Sequence, residues 1–531
     1  MSLDLLITNG EIIDGLGVQR YRANVGIKGD SINYIGTNEP EASEIIDASG
    51  LVVTPGFIDI HTHEDIWLLH DPSGVEKLCQ GVTTLIVGNC GFSAAPLLPG
   101  KEKLVQDESI LNFANVTCEW HTMDEYLLRL ESVHPGVNVG TLVGHNVIRL
   151  NVIGLQNRRP DEHEFDKMEE LIHDAMIDGA LGLSTGLIYV PGIYSETNEL
   201  IRLSKIVAKD DGVYVSHIRG EGSALESAVQ EALRIGLEAK VPVQISHHKA
   251  SGRDSWGKVQ KTLRAIEVAR AEGLDVAFDV YPYNAGNTGL VTLIPSWVFS
   301  NGPTSAEDRM TDPRTRMKIV SEMLTKDAHE ERPLVDTGSE NIIISYCKSN
   351  PTLEGKSLAT IANENHSNPA VAVLDLIQKY GRSILVILFE MSEQDVENVV
   401  RHPLSMIASD SVNPTGKPHP RVYGTSSRIL AKFVREKHQL TLEDAIRKMS
   451  SMPASRMGLR DRGVIKTGYK ADIVVFDPAA VQDRATFTES NQLAEGMSYV
   501  FVNGKKALEN TKVTPERAGK VLRHQLREDS I

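Results

Sequence analysis

Eight short apolar runs, several of them separated by amphipathic stretches, constrain the fold of this chain more than any other feature. They are Val52–Ile60, Val82–Val87, Val137–Val143, Ala180–Ser184, Val213–Ser216, Val241–Ser246, Asp275–Val280 and Leu404–Ala408. Between them lie stretches such as Glu226–Ala239 and Val259–Glu272, with apolar residues three and four apart, which is the helical period. Strand-like and helix-like segments in alternation are the pattern of a parallel α/β fold. Eight such strands with intervening helices point to a (β/α)8 barrel.

The two ends have a different texture. Leu5-Leu6-Ile7 stops at Asn9-Gly10, Ala23–Ile27 at Gly29-Asp30, and Ser31–Ile35 at Gly36. Asp472–Asp477 and Tyr499–Val502, closed by Asn503-Gly504, repeat that texture near the far end. The expectation is a small β-sandwich built by both chain ends, 1–54 with 464–531, around a barrel over 55–463. The alternation breaks between Pro295 and about His402, with a Pro/Asp-rich stretch at Asp308–Arg314 and a charged one at Lys326–Arg332. Residues 296–402 therefore read as an insertion between strands seven and eight, placed to act as a lid.

At 531 residues the chain is long enough for two or three structural units. Lys and Arg number 55 against 71 Asp and Glu, a net charge of −16 that argues against nucleic acid or an anionic membrane as partner. A small molecule is the expected partner. The N-terminus shows no secretory pattern, and no apolar run approaches the ~18 residues of a membrane helix. Four irregularly spaced cysteines (Cys79, Cys90, Cys118, Cys347) do not resemble a disulfide framework, so a cytoplasmic location is expected.

In a barrel, functional side chains sit at the C-terminal ends of the strands. Strand one runs into His61 and His63, strand two into Cys90, strand five into His217, strand six into His247-His248 and strand eight into Asp410. His61 and His63 are two apart, so on a strand both project to one side and can share a metal. Imidazole, thiolate and carboxylate together suit Zn2+, with a position left for water. A carboxylate such as Asp410 beside that water could take its proton and deliver it to a leaving amine. Any one of these residues is easily explained as a packed or turn residue; their convergence on the ends of separate strands is not.

Thr54-Pro-Gly-Phe-Ile-Asp-Ile-His-Thr-His63 resembles the strand-one signature of the amidohydrolase superfamily. Gly88-Asn-Cys-Gly91, Gly179–Gly192, Ser246-His-His-Lys249, Asp279-Val-Tyr-Pro-Tyr283, Pro418-His-Pro-Arg421 and Ala471–Pro478 narrow the resemblance to the N-acyl-D-amino-acid deacylases, over about residues 3–510. That resemblance implies zinc-dependent hydrolysis of N-acyl-D-amino acids. It implies a tight zinc on Cys90, His217 and His247, with Cys90 replacing the bridging carbamylated lysine of related enzymes. It also implies a weaker second site on His61, His63, Cys90 and Asp410, with Asp410 as general acid/base. Of the histidine pair, the family pattern favours His247 and leaves His248 packed. Lys249 and Arg421 would bind the substrate carboxylate, joined by Tyr281 or Tyr283, and Tyr189 would polarise the scissile carbonyl.

Members selective for acidic D-residues carry an Arg in the loop after strand seven. From Tyr281 to Asp308 this chain has no Arg or Lys, while Leu290, Leu293, Ile294 and Trp297 are apolar, so neutral or hydrophobic side chains are expected. Asn287-Thr288 departs from the small hydroxyl residue of the family pattern at that turn. Two rivals stand beside this reading. A cyclic-amide hydrolase of the hydantoinase or dihydroorotase kind would place a lysine on strand four, and Ala180–Ser184 has none. An inactive binding relative would have lost metal ligands, and every expected ligand type is present.

Overall fold

The parallel framework consists of eight strands in chain order: β1 (Phe57–Asp59), β2 (Val82–Val87), β3 (Asn138–Thr141), β4 (Gly182–Gly186), β5 (Val213–His217), β6 (Val243–Ile245), β7 (Val276–Val280) and β8 (Ser405–Ile407). The computed structural model describes residues 2–111, 116–326, 330–412 and 415–525. Residues 526–531 of the expected C-terminal β-rich segment, and 327–329 of the charged stretch, lie outside the described residues. The fold is α/β.

β1, β2 and β3 form one parallel sheet. β4 to β8 follow one another in a second, whose first member is the two-residue strand Val143–Gly144 just after β3. Backbone bonds cross the junction, from Leu142 N to Val87 O at 2.9 Å and from Leu181 N to Thr141 O at 2.8 Å. At the other side Thr62 and Ser411 bridge in parallel, just beyond β1 and β8. Ile58, Ile86, Val215, Ala277 and Met406, from five of these strands, meet in one apolar cluster.

The connecting helices follow from their sequences. Glu162–Asp178 starts at a capping box between Asp161 and Glu164, ends at Gly179 with φ 120°, and buries Phe165, Met168, Ile172, Ala175 and Met176 on one face. Leu225–Ala239 and Val259–Ala271 form as the periodicity requires.

The first apolar run is two strands rather than one. Val52–Pro55 pairs antiparallel with Ile473–Phe476 in a seven-stranded sheet, and β1 starts only after Gly56. A Cβ on Gly56 would lie 2.2 Å from Thr83 Oγ1, so only glycine lets the chain pass this closely from one sheet to the other. Leu3–Thr8, Asn24–Lys28, Ser31–Gly36 and Ala42–Asp47 make a separate four-stranded sheet. Leu5, Ile7, Val25 and Ile27 of that sheet share a core with Val53, Ile473, Val475 and Phe501 of the seven-stranded one.

Between β7 and β8 the chain builds an antiparallel three-stranded sheet from Gly286–Gly289, Leu385–Leu388 and Ile342–Tyr346, with its own core around Leu290, Ile319, Ile344, Val373 and Val386. Its first strand follows almost directly on β7, upstream of residue 296. The Pro/Asp-rich stretch is a junction of two helices, Pro303–Thr311 and Pro313–Met323, where Asp312 caps the second by accepting from Thr315 N at 2.8 Å. Among the described residues no helix is long and apolar enough to cross a membrane.

One buried ammonium ties the ends of β1 and β8 together. Lys77 Nζ donates to Asp59 Oδ2 at 2.9 Å, Ser409 Oγ at 3.0 Å and Ser411 Oγ at 2.7 Å, and lies 3.1 Å from Glu64 Oε1. Replacing it by an apolar chain would strand two buried carboxylates, which typically costs about 3–5 kcal/mol. Lys77→Met is therefore expected to lower unfolding stability by that amount in urea titration. A change below about 0.5 kcal/mol, the ordinary range of a surface substitution, would contradict this role.

Candidate metal centre and active site

His61 and His63 lie just past β1, and their backbone is stitched to the end of β8: Asp410 N donates to His61 O and His63 N to Ser411 O, both at 2.8 Å. Beyond β2 the chain turns at Gly88, with φ 79°, where a Cβ would lie 2.2 Å from Leu142 O; the turn delivers Cys90. His217 closes β5, and His247 follows β6. Cys90, His247 and Asp410 have φ of 52°, 33° and 49°. Non-glycine residues rarely adopt this region, and strain of about 1–3 kcal/mol per residue persists chiefly where the surroundings hold it at functional sites.

These side chains converge. Cys90 Sγ lies 3.3 Å from His61 Nε2, 3.5 Å from His247 Nε2 and 3.7 Å from His217 Nδ1. Asp410 Oδ1 lies 3.2 Å from His63 Nε2 and 3.5 Å from His61 Nε2. All six are buried. Burial opposes ionisation of Cys90, but the charge of His61 and the hydrogen bonds of His217, His247 and His61 hold its thiol well below the ordinary range. Burial likewise raises Asp410, and Arg421, His63, His247 and His61 outweigh it to hold the carboxyl well below its usual value.

A surrounding ring of acidic groups orients the imidazoles. Asp279, on β7, accepts from His247 N at 2.8 Å and from Gln244 Nε2 at 2.9 Å, and lies 3.3 Å from His61 Nδ1. Glu221 Oε1 lies 2.9 Å from His247 Nδ1 and accepts from Lys249 Nζ at 2.6 Å, while its Oε2 lies 3.8 Å from His217 Nε2. Glu331, from the insertion, accepts from the backbone of Glu221 and Gly222. Its burial, with the charge of Glu221 nearby, pushes its carboxyl up to about 7. A search for ligands alone passes over Glu221 and Asp279. Their signals were a carboxylate four residues beyond His217 and one just before the end of the seventh apolar run.

The expected substrate residues divide. Tyr189, Lys249 and Tyr281 line a cavity of about 840 Å³ together with His63, His217, His247 and Asp410. Tyr189 stacks edge-on to His217 at 5.0 Å, and its Oη is 3.3 Å from Thr288 Oγ1, so the hydroxyl at that turn is present. Arg421 is fully buried; its Nη1 lies 2.8 Å from Asp410 Oδ2, and its guanidinium sits over Tyr281 at 4.7 Å. Tyr283 turns away, packing on His419 at 5.2 Å and donating to Pro420 O at 3.4 Å. His248 bonds Thr262 Oγ1 at 2.9 Å and packs against Phe278. Of the four apolar residues named after strand seven, Ile294 lines the cavity, whereas Leu290 and Leu293 belong to the core of the insertion. Trp297 packs against that core.

A profile of the Amidohydrolase family matches residues 44–318 and 380–507. A D-aminoacylase of Alcaligenes xylosoxydans xylosoxydans is 36% identical over 524 residues, 98% of this chain and 97% of the relative. The chain belongs to the amidohydrolase family. An N-acyl-D-glutamate deacylase from the same organism is also 36% identical, over 98% of this chain and 96% of its own. The crystal structure of an N-acyl-D-glutamate deacylase from Bordetella bronchiseptica, complexed with zinc and a phosphonate inhibitor, superposes with a TM-score of 0.84 at 34% identity, covering 98% of this chain and 100% of that one.

The donor set of this amidohydrolase fits zinc. A thiol and three imidazole nitrogens face one point, and three groups (His61, Cys90, His247; His61, His63, Asp410; His217, Glu221, His247) each bring their donor atoms within 4.8 Å of one another. Carboxylates behind metal-bound imidazoles typically raise metal affinity 10–100-fold. Glu221→Gln is accordingly expected to weaken zinc binding by that factor in a chelator-competition titration, and an unchanged dissociation constant would remove Glu221 from the centre.

Proposed function

We propose that this amidohydrolase hydrolyses the amide bond of N-acyl-D-amino acids with neutral or hydrophobic side chains, using zinc, and releases a carboxylate and a free D-amino acid. The observation that carries this reading is Cys90 Sγ at 3.3–3.7 Å from three imidazoles, with Asp410 bridging to His63 beside it, in the lining of a cavity of about 840 Å³. Cys90, His217 and His247 would hold the tight zinc, and His61, His63, Cys90 and Asp410 a weaker second. Bound there, zinc supplies Lewis-acid activation of water and of the amide carbonyl.

The protein's own groups do the rest. Asp410 begins as a carboxylate, takes the proton of the attacking water on Oδ1, and delivers it to the leaving nitrogen. Arg421 holds Oδ2 at 2.8 Å and so fixes which oxygen carries the proton. Burial, followed by the charge of Cys90, keeps the Tyr189 phenol protonated far above its ordinary range, so it can donate to the developing oxyanion. Lys249 stays charged against its burial because Glu221 pairs with it, and presents an ammonium for the substrate carboxylate.

Neutral side chains are supported by how the cavity's guanidinium groups are occupied, although the exposed Lys348 also lines it, without an ion pair among the described residues. Arg219, Arg332 and Arg382 line it from outside the loop after strand seven, and each is paired, with Glu231, Glu330 and Glu108. The same reading treats the two parallel sheets as one (β/α)8 barrel closed at Thr62 and Ser411, over 55–463. The two sheets of 1–54 and 464–531 would be its β-sandwich, and 296–402 a lid whose Phe299, Glu331 and Leu385 wall the cavity.

Zinc-loaded protein is expected to release acetate from N-acetyl-D-methionine and not from its L-enantiomer, with kcat falling about 10²–10⁴-fold in Asp410→Asn. Equal rates on both enantiomers, or an unaffected variant, would contradict the mechanism. Faster turnover of N-acetyl-D-glutamate than of N-acetyl-D-methionine would contradict the side-chain preference.

A further inference from the structure

The cavity is much larger than an N-acetylated amino acid requires. At about 840 Å³ it falls near the top of the range of pockets that enclose drug-sized ligands. In a deacylase the substrate carboxylate would meet Lys249 and the scissile carbonyl Tyr189, both of which line the cavity. The acyl chain is bonded directly to that carbonyl carbon, whereas the side chain is reached only through the amide nitrogen and Cα.

Ile188 and Val190 flank Tyr189 in the chain, and Ile193 follows them; all three line the cavity. Val291, Ile294 and Phe299, from the segment after β7, line it as well. The arginines further along are neutralised by their carboxylates, so this branch offers no unpaired guanidinium to a charged acyl group. Arg382 lies over the Phe299 ring at 4.6 Å and is held by Glu108, which keeps that aromatic face in place at the far wall.

We propose that the preferred substrates carry a medium or long aliphatic acyl chain, which lies between the Ile188–Ile193 wall and the Val291–Phe299 wall. This rests on the deacylase reading above. Burial of each methylene is expected to raise kcat/KM about fourfold until the cavity is filled, so the hexanoyl substrate, four methylenes longer, should exceed the acetyl one by about 250-fold.

The test is kcat/KM of the zinc-loaded protein on N-acetyl-, N-butanoyl-, N-hexanoyl- and N-octanoyl-D-methionine. A parallel series fixes the acyl group as acetyl and lengthens the D-side chain. A steep rise with acyl length and a shallow one with side-chain length supports the proposal. Activity on the acetyl substrate with no gain, or a loss, on lengthening the acyl chain overturns it and leaves the deacylase reading standing. A gain confined to the side-chain series overturns the assignment of the branch. No hydrolysis of any member overturns the deacylase reading as well. In Val291→Asp the hexanoyl-to-acetyl ratio should fall at least tenfold; an unchanged ratio in a folded variant overturns the wall assignment, and the wild-type series decides alone if the variant does not fold.

Discussion

A thiolate, several imidazoles and a carboxylate converge on one point inside a dry interior, and the rest of the structure is arranged around that convergence. Lewis bases at 3.2–3.7 Å from one another, all buried, do not stabilise each other unless protons or a cation lie between them. The surroundings are built to hold them there. Cys90, His247 and Asp410 occupy left-handed backbone conformations, and Asp279 and Glu221 fix the imidazoles from behind. Lys77, with Asp59, Glu64, Ser409 and Ser411, locks together the two strand ends that carry His61, His63 and Asp410. The strain is local, and the compensation is a charged network distributed over both strand ends.

The division of labour among the charged groups explains how one small volume can hold opposite chemistry. Arg421 and the histidines keep Asp410 ionised against burial, while burial keeps the Tyr189 phenol protonated. One group is thus ready to accept a proton and the other to donate a hydrogen bond, at pH values where free side chains of both kinds already differ in the same direction. The protein widens that gap. Lys249 remains an ammonium chiefly because Glu221 lies 2.6 Å away, so the group that orients the imidazoles also maintains a positive charge at the cavity wall.

Much of this was legible in the sequence because apolar runs end where chemistry begins. The strands carrying Cys90, His217 and His247 could be found by their apolar character, and the side chains that converge by what followed them. The first run, Val52–Ile60, misled because its apolar character is continuous while its sheet membership changes at Gly56, a steric event that periodicity does not encode. Tyr283 and Arg421 show the limit of motif spacing. Both sit where the family pattern puts them, yet Tyr283 packs on His419 and Arg421 binds Asp410 instead of opening onto the cavity. Glu331 was invisible for a related reason, and Glu221 offered only its spacing of four residues from His217: a carboxylate is commonplace on a surface, and only the tertiary structure shows that these two are enclosed. The insertion resisted because its strands are short and its helices are joined at prolines, so neither period lasts long enough to be read.

The account depends on Cys90 being a ligand to the working metal, and X-ray absorption at the zinc edge tests that most directly. Protein loaded with one equivalent of zinc should show one sulfur at about 2.3 Å with the remaining ligands nitrogen or oxygen near 2.0 Å, and the sulfur shell should vanish in Cys90→Ser. A zinc environment of nitrogen and oxygen alone in the unaltered protein would contradict the centre described above, and with it the chemistry assigned to the residues around it.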